Sequence, residues 1–151
     1  MNDAKSSTLP TSVAWLGYGG LLPFLVLMPA SLIDHHGAVW SDALYAYGAI
    51  ILSFIGALHW GMAMILPDLS ERQRSAWFVW SVVPALIAWP ALLFSPLLAA
   101  PLLVFGFVAH YLQDRRLADQ VTLPGWYLPL RLRLSIVAIV CLVGGAFSSH
   151  F

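Results

Sequence analysis

Apolar residues run through this chain in five long stretches divided by short polar turns: Ser12–Ile33, Asp42–Leu66, Ala76–Phe94, Pro96–Gln113 and Leu130–Ser148. Each approaches the ~20 residues an α-helix needs to cross a hydrocarbon core. The pattern predicts an all-α membrane protein, a bundle of five transmembrane helices forming a single domain over residues 12–151 behind a flexible polar leader at 1–11. The polar residues between the stretches set the orientation. Lys5 precedes the first stretch, Arg72 and Arg74 follow the second, and Arg115, Arg116, Arg131 and Arg133 surround the loop between the fourth and fifth. The other side receives Asp34, His35, His36, Asp42, the Ser95-Pro96 hinge and the His150-Phe151 tail, without a Lys or Arg. Basic residues stay on the cytosolic side during insertion, so the N-terminus is predicted cytoplasmic and the C-terminus periplasmic. The expected location is a bacterial inner membrane, crossed several times.

Within the stretches, proline and glycine mark strained points. Gly17-Tyr18-Gly19-Gly20 followed by Pro23 predicts a kink in the first span, and Pro84 and Pro90 interrupt the third. An interior proline removes a backbone hydrogen bond, which lipid-embedded helices tolerate when neighbours compensate. The second span carries a ridge of small residues, Ala49, Ser53, Ala57 and Gly61, beside a stripe of Leu52, Gly56, His59 and Ala63. Small residues let helices approach closely, so this span is predicted to be central. The short Ser95-Pro96 hinge predicts an antiparallel hairpin of spans three and four. Trp15, Trp77 and Trp126 fall near the inner boundary and Trp40 and Trp89 near the outer one, the headgroup level that indoles favour. Trp60 and Trp80 lie deeper.

Composition narrows the function. The chain is 60% hydrophobic and 9% charged, far below the roughly one-quarter charge of soluble domains, so no soluble domain fits beside the spans. A net charge of zero gives no basic face for nucleic acid. Cys141 is the lone cysteine, in mid-span, and reads as a small buried apolar residue. The first stretch exceeds a signal-peptide core and is expected to be retained.

The candidate chemistry is sparse. His59 lies about 10 Å inside the second span, a depth at which an ionisable group faces the bundle or a wet cavity and finds a partner. His110 shares a stripe with Gly106 and Asp114, four residues apart, so the Asp114 carboxylate can accept from its imidazole. Trp60, Trp80 and Ser81 are expected to line a pocket with His59 and His110 between spans two, three and four. Paired arginines, Arg72/Arg74, Arg115/Arg116 and Arg131/Arg133, suit anionic lipid headgroups or a phosphorylated molecule. Asp114 is expected in an interfacial network with Arg115 and Arg116. The two histidines sit on different helices, an arrangement open to axial haem ligation, but nothing in the spacing demands it and no cofactor or metal is assigned. Phosphate-loop, nucleophile-elbow and zinc-protease motifs are absent. By this reading no carboxylate lies within a span, which counts against a proton-coupled carrier.

The strings Leu16-Gly17-Tyr18-Gly19-Gly20-Leu21-Leu22-Pro23-Phe24, Ser53-Phe54-Ile55-Gly56-Ala57-Leu58-His59-Trp60-Gly61, Trp80-Ser81-Val82-Val83-Pro84, Asp114-Arg115-Arg116, Pro124-Gly125-Trp126-Tyr127 and Arg131-Leu132-Arg133 form a set. Together they resemble a bacterial family of small integral membrane proteins of unknown function, DUF3429-like. The mitochondrial transmembrane protein 69 group looks like its eukaryotic relative. The resemblance implies a multi-pass inner-membrane protein and brings no activity or site residue. Tryptophan-rich sensory proteins share the five spans and length, but their motifs do not align, which leaves an analogy of shape. The reading the residues favour is a non-enzymatic binding or assembly partner for a lipid, lipophilic cofactor or membrane complex, with a homo-oligomer as a possible assembly. The alternative is a membrane enzyme or redox subunit with a quinone- or prenyl-phosphate-type pocket in the cytoplasmic half. The third reading is a small channel or carrier.

Overall fold

A computed structural model describes residues 8–33, 35–67 and 69–147. Most of the predicted polar leader and the His150-Phe151 tail lie outside the described residues. The described residues form six helices: α1 (Thr11–Gly19), α2 (Leu22–Ile33), α3 (Gly37–Ile65), α4 (Glu71–Ala91), α5 (Pro96–Gln120) and α6 (Tyr127–Ala146). Four runs are long and apolar enough to cross a membrane: Thr11–Ile33, which combines α1 and α2, then α3, α5 and α6. The 21-residue α4 opens on Glu71, Arg72 and Arg74 and does not reach that apolarity.

The first run breaks where Pro23 dictates. A proline ring collides with the carbonyl four residues earlier, here that of Gly19, and supplies no N–H to pair with it. The chain responds with a tight turn, Leu21 N–H donating to the Tyr18 carbonyl at 3.0 Å. The Gly20 carbonyl at the break accepts from the Tyr47 hydroxyl of α3 at 2.8 Å. A neighbouring helix thus satisfies backbone that lipid would leave unpaired.

α3 packs on α2, α4, α5 and α6, which makes it the hub of the bundle. The close contact runs along Leu52, Gly56, His59 and Ala63, all buried. The small-residue ridge predicted beside it packs only at its start, where Ala49 is buried in the core. Ala57 and Gly61 are exposed, and nothing lies within 4 Å of where a Gly61 Cβ would sit. At Gly56 a Cβ would stand 2.9 Å from the Ser81 carbonyl and from Pro84 Cγ, so glycine is what lets α4 seat against α3. The main core gathers Phe24, Leu44, Leu52, Leu103, Phe107 and Leu142; a second, of Ala63, Leu69, Trp77 and Leu117, closes one end.

Several predicted boundaries move. α4 starts at Glu71 because Ser70 and Gln73 form a reciprocal capping box. Arg74, expected as a headgroup anchor, donates to the Ala63 and Leu66 carbonyls and so satisfies the C-terminal end of α3. α5 runs two turns past Gln113, with Leu103, Phe107, His110, Asp114 and Leu117 continuing one buried stripe. Asp114 is therefore inside the bundle and 0% exposed, which overturns both its interfacial placement and the expected absence of carboxylates within the spans. Arg131, expected at the edge of the fifth span beside the loop, lies in the second turn of α6 and is also buried.

Candidate functional site

Four helices deliver polar side chains to one point at the basic end of the bundle. α5 contributes His110 and Asp114 one turn apart, and α6 contributes Tyr127 and Arg131 at the same spacing. α3 brings His59, and α4 brings Trp77 and Trp80. Gly106, one turn before His110, admits the Leu52 side chain where any Cβ would collide with it, so α3 and α5 meet closely enough for their histidines to touch.

Asp114 is the centre. Its Oδ2 accepts from Arg131 Nε at 2.9 Å, and its Oδ1 accepts from the Tyr127 hydroxyl at 3.2 Å. The Nε2 atoms of His59 and His110 lie 3.6 Å and 3.7 Å from the same Oδ1. The imidazoles meet edge to face, centroids 4.8 Å apart. No porphyrin plane fits between two rings in contact, so this pair does not hold a haem from opposite faces. Trp80 Nε1–H donates to His110 Nδ1 at 3.3 Å, and the two rings are nearly parallel. An indole N–H only donates, so a neutral His110 carries its proton on Nε2, aimed at Asp114. His59 leans edge-on against Trp77. A lone buried carboxylate would be strongly destabilising; Arg131 neutralises it, and the pair leaves the cluster without net charge.

Not every expected residue joins. His59, His110, Trp80 and Asp114 converge. Trp60 points outward, half exposed against Phe78, and the Ser81 hydroxyl turns back to the Phe78 carbonyl of its own helix. Arg115, Arg116 and Arg133 are exposed. Arg116 reaches only Gln113, and Arg133 touches the Tyr18 hydroxyl at 3.5 Å. The expected network of Asp114 with Arg115 and Arg116 is replaced by one with Arg131, because consecutive helix positions face different ways while Arg131 arrives from α6 on the buried side. Tyr127 and Trp77 belong to the cluster and were read from sequence as interfacial aromatics. The four-residue spacing of Tyr127 to Arg131 was the available signal.

The neighbouring void is not between α3, α4 and α5. An apolar cavity of about 310 Å³ lies across the bundle, bounded by α1–α2, α3 and α6. Gly17, Phe24, Ile55 and Leu134 are among its walls, and the exposed Leu16 and Phe54 frame it. Its polar lining comes from α6: Tyr127, Arg131 and Ser135. Arg131 Nη2 and Ser135 Oγ are buried with no hydrogen-bond partner among the described residues. Arg131 thus belongs to both places, with Nε on Asp114 and part of its side chain on the cavity wall.

Comparison with known proteins adds family and no activity. Residues 9–147 match the family described as "Protein of unknown function (DUF3429)". The chain is 38% identical over 149 residues to transmembrane protein 69 of Xenopus tropicalis, covering 93% of this chain and 55% of that protein. It is 29% identical over 142 residues to transmembrane protein 69 of Mus musculus, covering 89% and 55%. The chain thus spans about half the length of these curated relatives. No solved structure matches.

Proposed function

The chain belongs to the DUF3429 family, a family of multi-pass membrane proteins without a known activity, and on that premise we propose that it binds a lipophilic molecule by a carbonyl head group. The host is a bacterial inner membrane, crossed five times with the N-terminus in the cytosol. α4 supports the fifth crossing: at 21 residues it extends about 31 Å, close to the ~30 Å hydrocarbon core. Its outward residues Val79, Val82, Leu86 and Trp89 are apolar.

The observation that carries the binding reading is that Arg131 and Ser135, which line an otherwise apolar cavity, each hold a buried donor, Nη2 and Oγ, without a partner among the described residues. Buried polar atoms are normally paired, and a ligand oxygen would pair these. Its charge follows from Asp114. Because that carboxylate already neutralises Arg131, the cavity offers donors without net positive charge, which suits a neutral carbonyl better than a phosphate. The volume accommodates a ring-sized head, with a tail leaving toward lipid past Leu16 and Phe54. Quinones and carbonyl-bearing lipids share this chemistry. The role proposed is binding rather than turnover, because the buried groups of Arg131 and Ser135 without partners among the described residues are donors suited to holding an oxygen. The exposed Arg115, Arg116 and Arg133 remain available to anionic headgroups at the same end.

Native mass spectrometry of the protein purified in mild detergent tests this. We expect one retained lipophile of constant mass, depleted several-fold in Ser135→Val, with a reducible ultraviolet chromophore separating a quinone from an ester lipid. Equal phospholipid retention in both proteins, or a retained prenyl phosphate, would overturn the reading.

A further inference from the structure

His59 plays no part in the cavity, yet both of its ring nitrogens are buried without a hydrogen-bond partner, as is Nε2 of His110. Fully buried imidazole nitrogens without partners are unfavourable, so something is expected to satisfy them. They converge with Asp114 Oδ1, and the donor atoms of the three residues all lie within 4.8 Å of one another. Among the described residues this is the one place where three such donors meet.

The geometry points to a divalent transition-metal site formed by Nε2 of His59, Nε2 of His110 and a carboxylate oxygen of Asp114. A tetrahedral ion with bonds of about 2.0–2.1 Å spaces its donors by about 3.3 Å. The two nitrogen-to-oxygen separations, 3.6 Å and 3.7 Å, need a few tenths of an ångström of contraction, while the widest donor separation in the trio, up to 4.8 Å, has to close by swinging one imidazole inward on loading. Two imidazoles and one carboxylate select zinc, cobalt or ferrous ions over the all-oxygen sites of magnesium and calcium, and three ligands leave a position for water. The outer partners are already placed: Arg131 holds Oδ2 and Tyr127 holds Oδ1, fixing the carboxylate as second-layer groups do around known metals. The Arg131 charge opposes a dication, so an anion or hydroxide at the open position completes the site.

Trp80 supplies a specific consequence. Its indole N–H on His110 Nδ1 keeps the His110 proton on Nε2, the atom the metal needs. Loading moves that proton to Nδ1, where it confronts the indole N–H, so the contact has to open. Trp80 therefore restrains loading, and Trp80→Phe should strengthen it by about fivefold, the equivalent of one neutral hydrogen bond.

The test is titration of chelator-stripped, detergent-purified protein with Co²⁺, followed by its visible absorption, with Zn²⁺ as competitor. One equivalent should bind to the unsubstituted chain. His59→Gln and His110→Gln should each weaken binding beyond the roughly 10–100-fold that outer-layer substitutions produce. His59→Cys should keep the ion and add a thiolate-to-cobalt charge-transfer band, which a merely structural histidine would not yield, so this variant decides the matter even if the glutamine variants fail to fold. Equal Co²⁺ uptake by the unsubstituted chain and His59→Gln, as adventitious capture by the exposed His35 and His36 would give, overturns the site. So does an absent charge-transfer band in a folded His59→Cys protein. Ser135→Val should leave Co²⁺ binding unchanged, so the metal site and the lipophile cavity stand or fall separately.

Discussion

Asp114 concentrates the electrostatic stakes of the bundle in one side chain. With 0% exposure it depends on Arg131, and either partner alone would be an uncompensated buried charge. Breaking such a pair from one side costs about 3–5 kcal/mol, whereas replacing both members with apolar residues is often near neutral. Arg131→Leu and Asp114→Leu should therefore each destabilise strongly, and the double variant should recover most of the loss. Cys141 gives the readout: it is the only cysteine, and it is buried, so its alkylation reports opening. A double variant no more protected than the singles would mean that the other contacts of these two side chains outweigh their mutual attraction. The histidines were legible in the sequence because an imidazole deep in an apolar stretch stands out. Arg131 was singled out too, but as half of a headgroup pair; its partner was not legible, because Asp114 lies 17 residues away across a loop. Asp114 was read as the partner of His110 but placed at the interface, although the buried stripe from Leu103 through Leu117 passes directly through it.

The helices themselves were readable, but the faces they use were harder to read. Two small-residue stripes on α3 looked equally suited to close packing, and spacing alone does not say which one a neighbour occupies. Pro84 and the Ser81 carbonyl on α4 settle it by sitting against Gly56. Gly56→Ala should therefore overpack this contact and destabilise by about 1–3 kcal/mol. Gly61→Ala, facing open space, should be neutral or slightly stabilising by its helix propensity. Comparing the two variants by Cys141 alkylation in one detergent isolates packing from propensity; equal effects would mean α4 is not seated on Gly56. Ends were the other illegible feature, because Ser70, Gln73 and Arg74 fix them through local hydrogen bonds that a hydropathy stretch does not register.

At the scale of the molecule, the cluster ties chain direction to location. His59 lies toward the C-terminal end of α3, His110 and Asp114 toward that of α5, Trp77 and Trp80 in the N-terminal half of α4, and Tyr127 and Arg131 open α6. Their contacts place these ends together, and the described arginines gather at the same end. The turn at His35 and His36 and the connection between Ala91 and Pro96 lie at the other end, where His35, His36 and Asp42 supply the polar groups. The proposed orientation, with basic residues retained in the cytosol, predicts the cluster near the cytosolic leaflet and a fusion after Phe151 on the outer side. In a bacterial host, alkaline phosphatase fused after Phe151 should be active and a fluorescent protein there dark. Fusions truncated after Gln120 should show the reverse. The crossing of α4 is read separately, from fusions truncated after Ser70 and after Ser95: the phosphatase should be inactive at the first and active at the second. If α4 lay on the surface instead, those two sites would report the same compartment. A bright fusion at Phe151 together with an active phosphatase at Gln120 and at Ser70 would invert the molecule, and any metal or lipophile would then be drawn from the outer side.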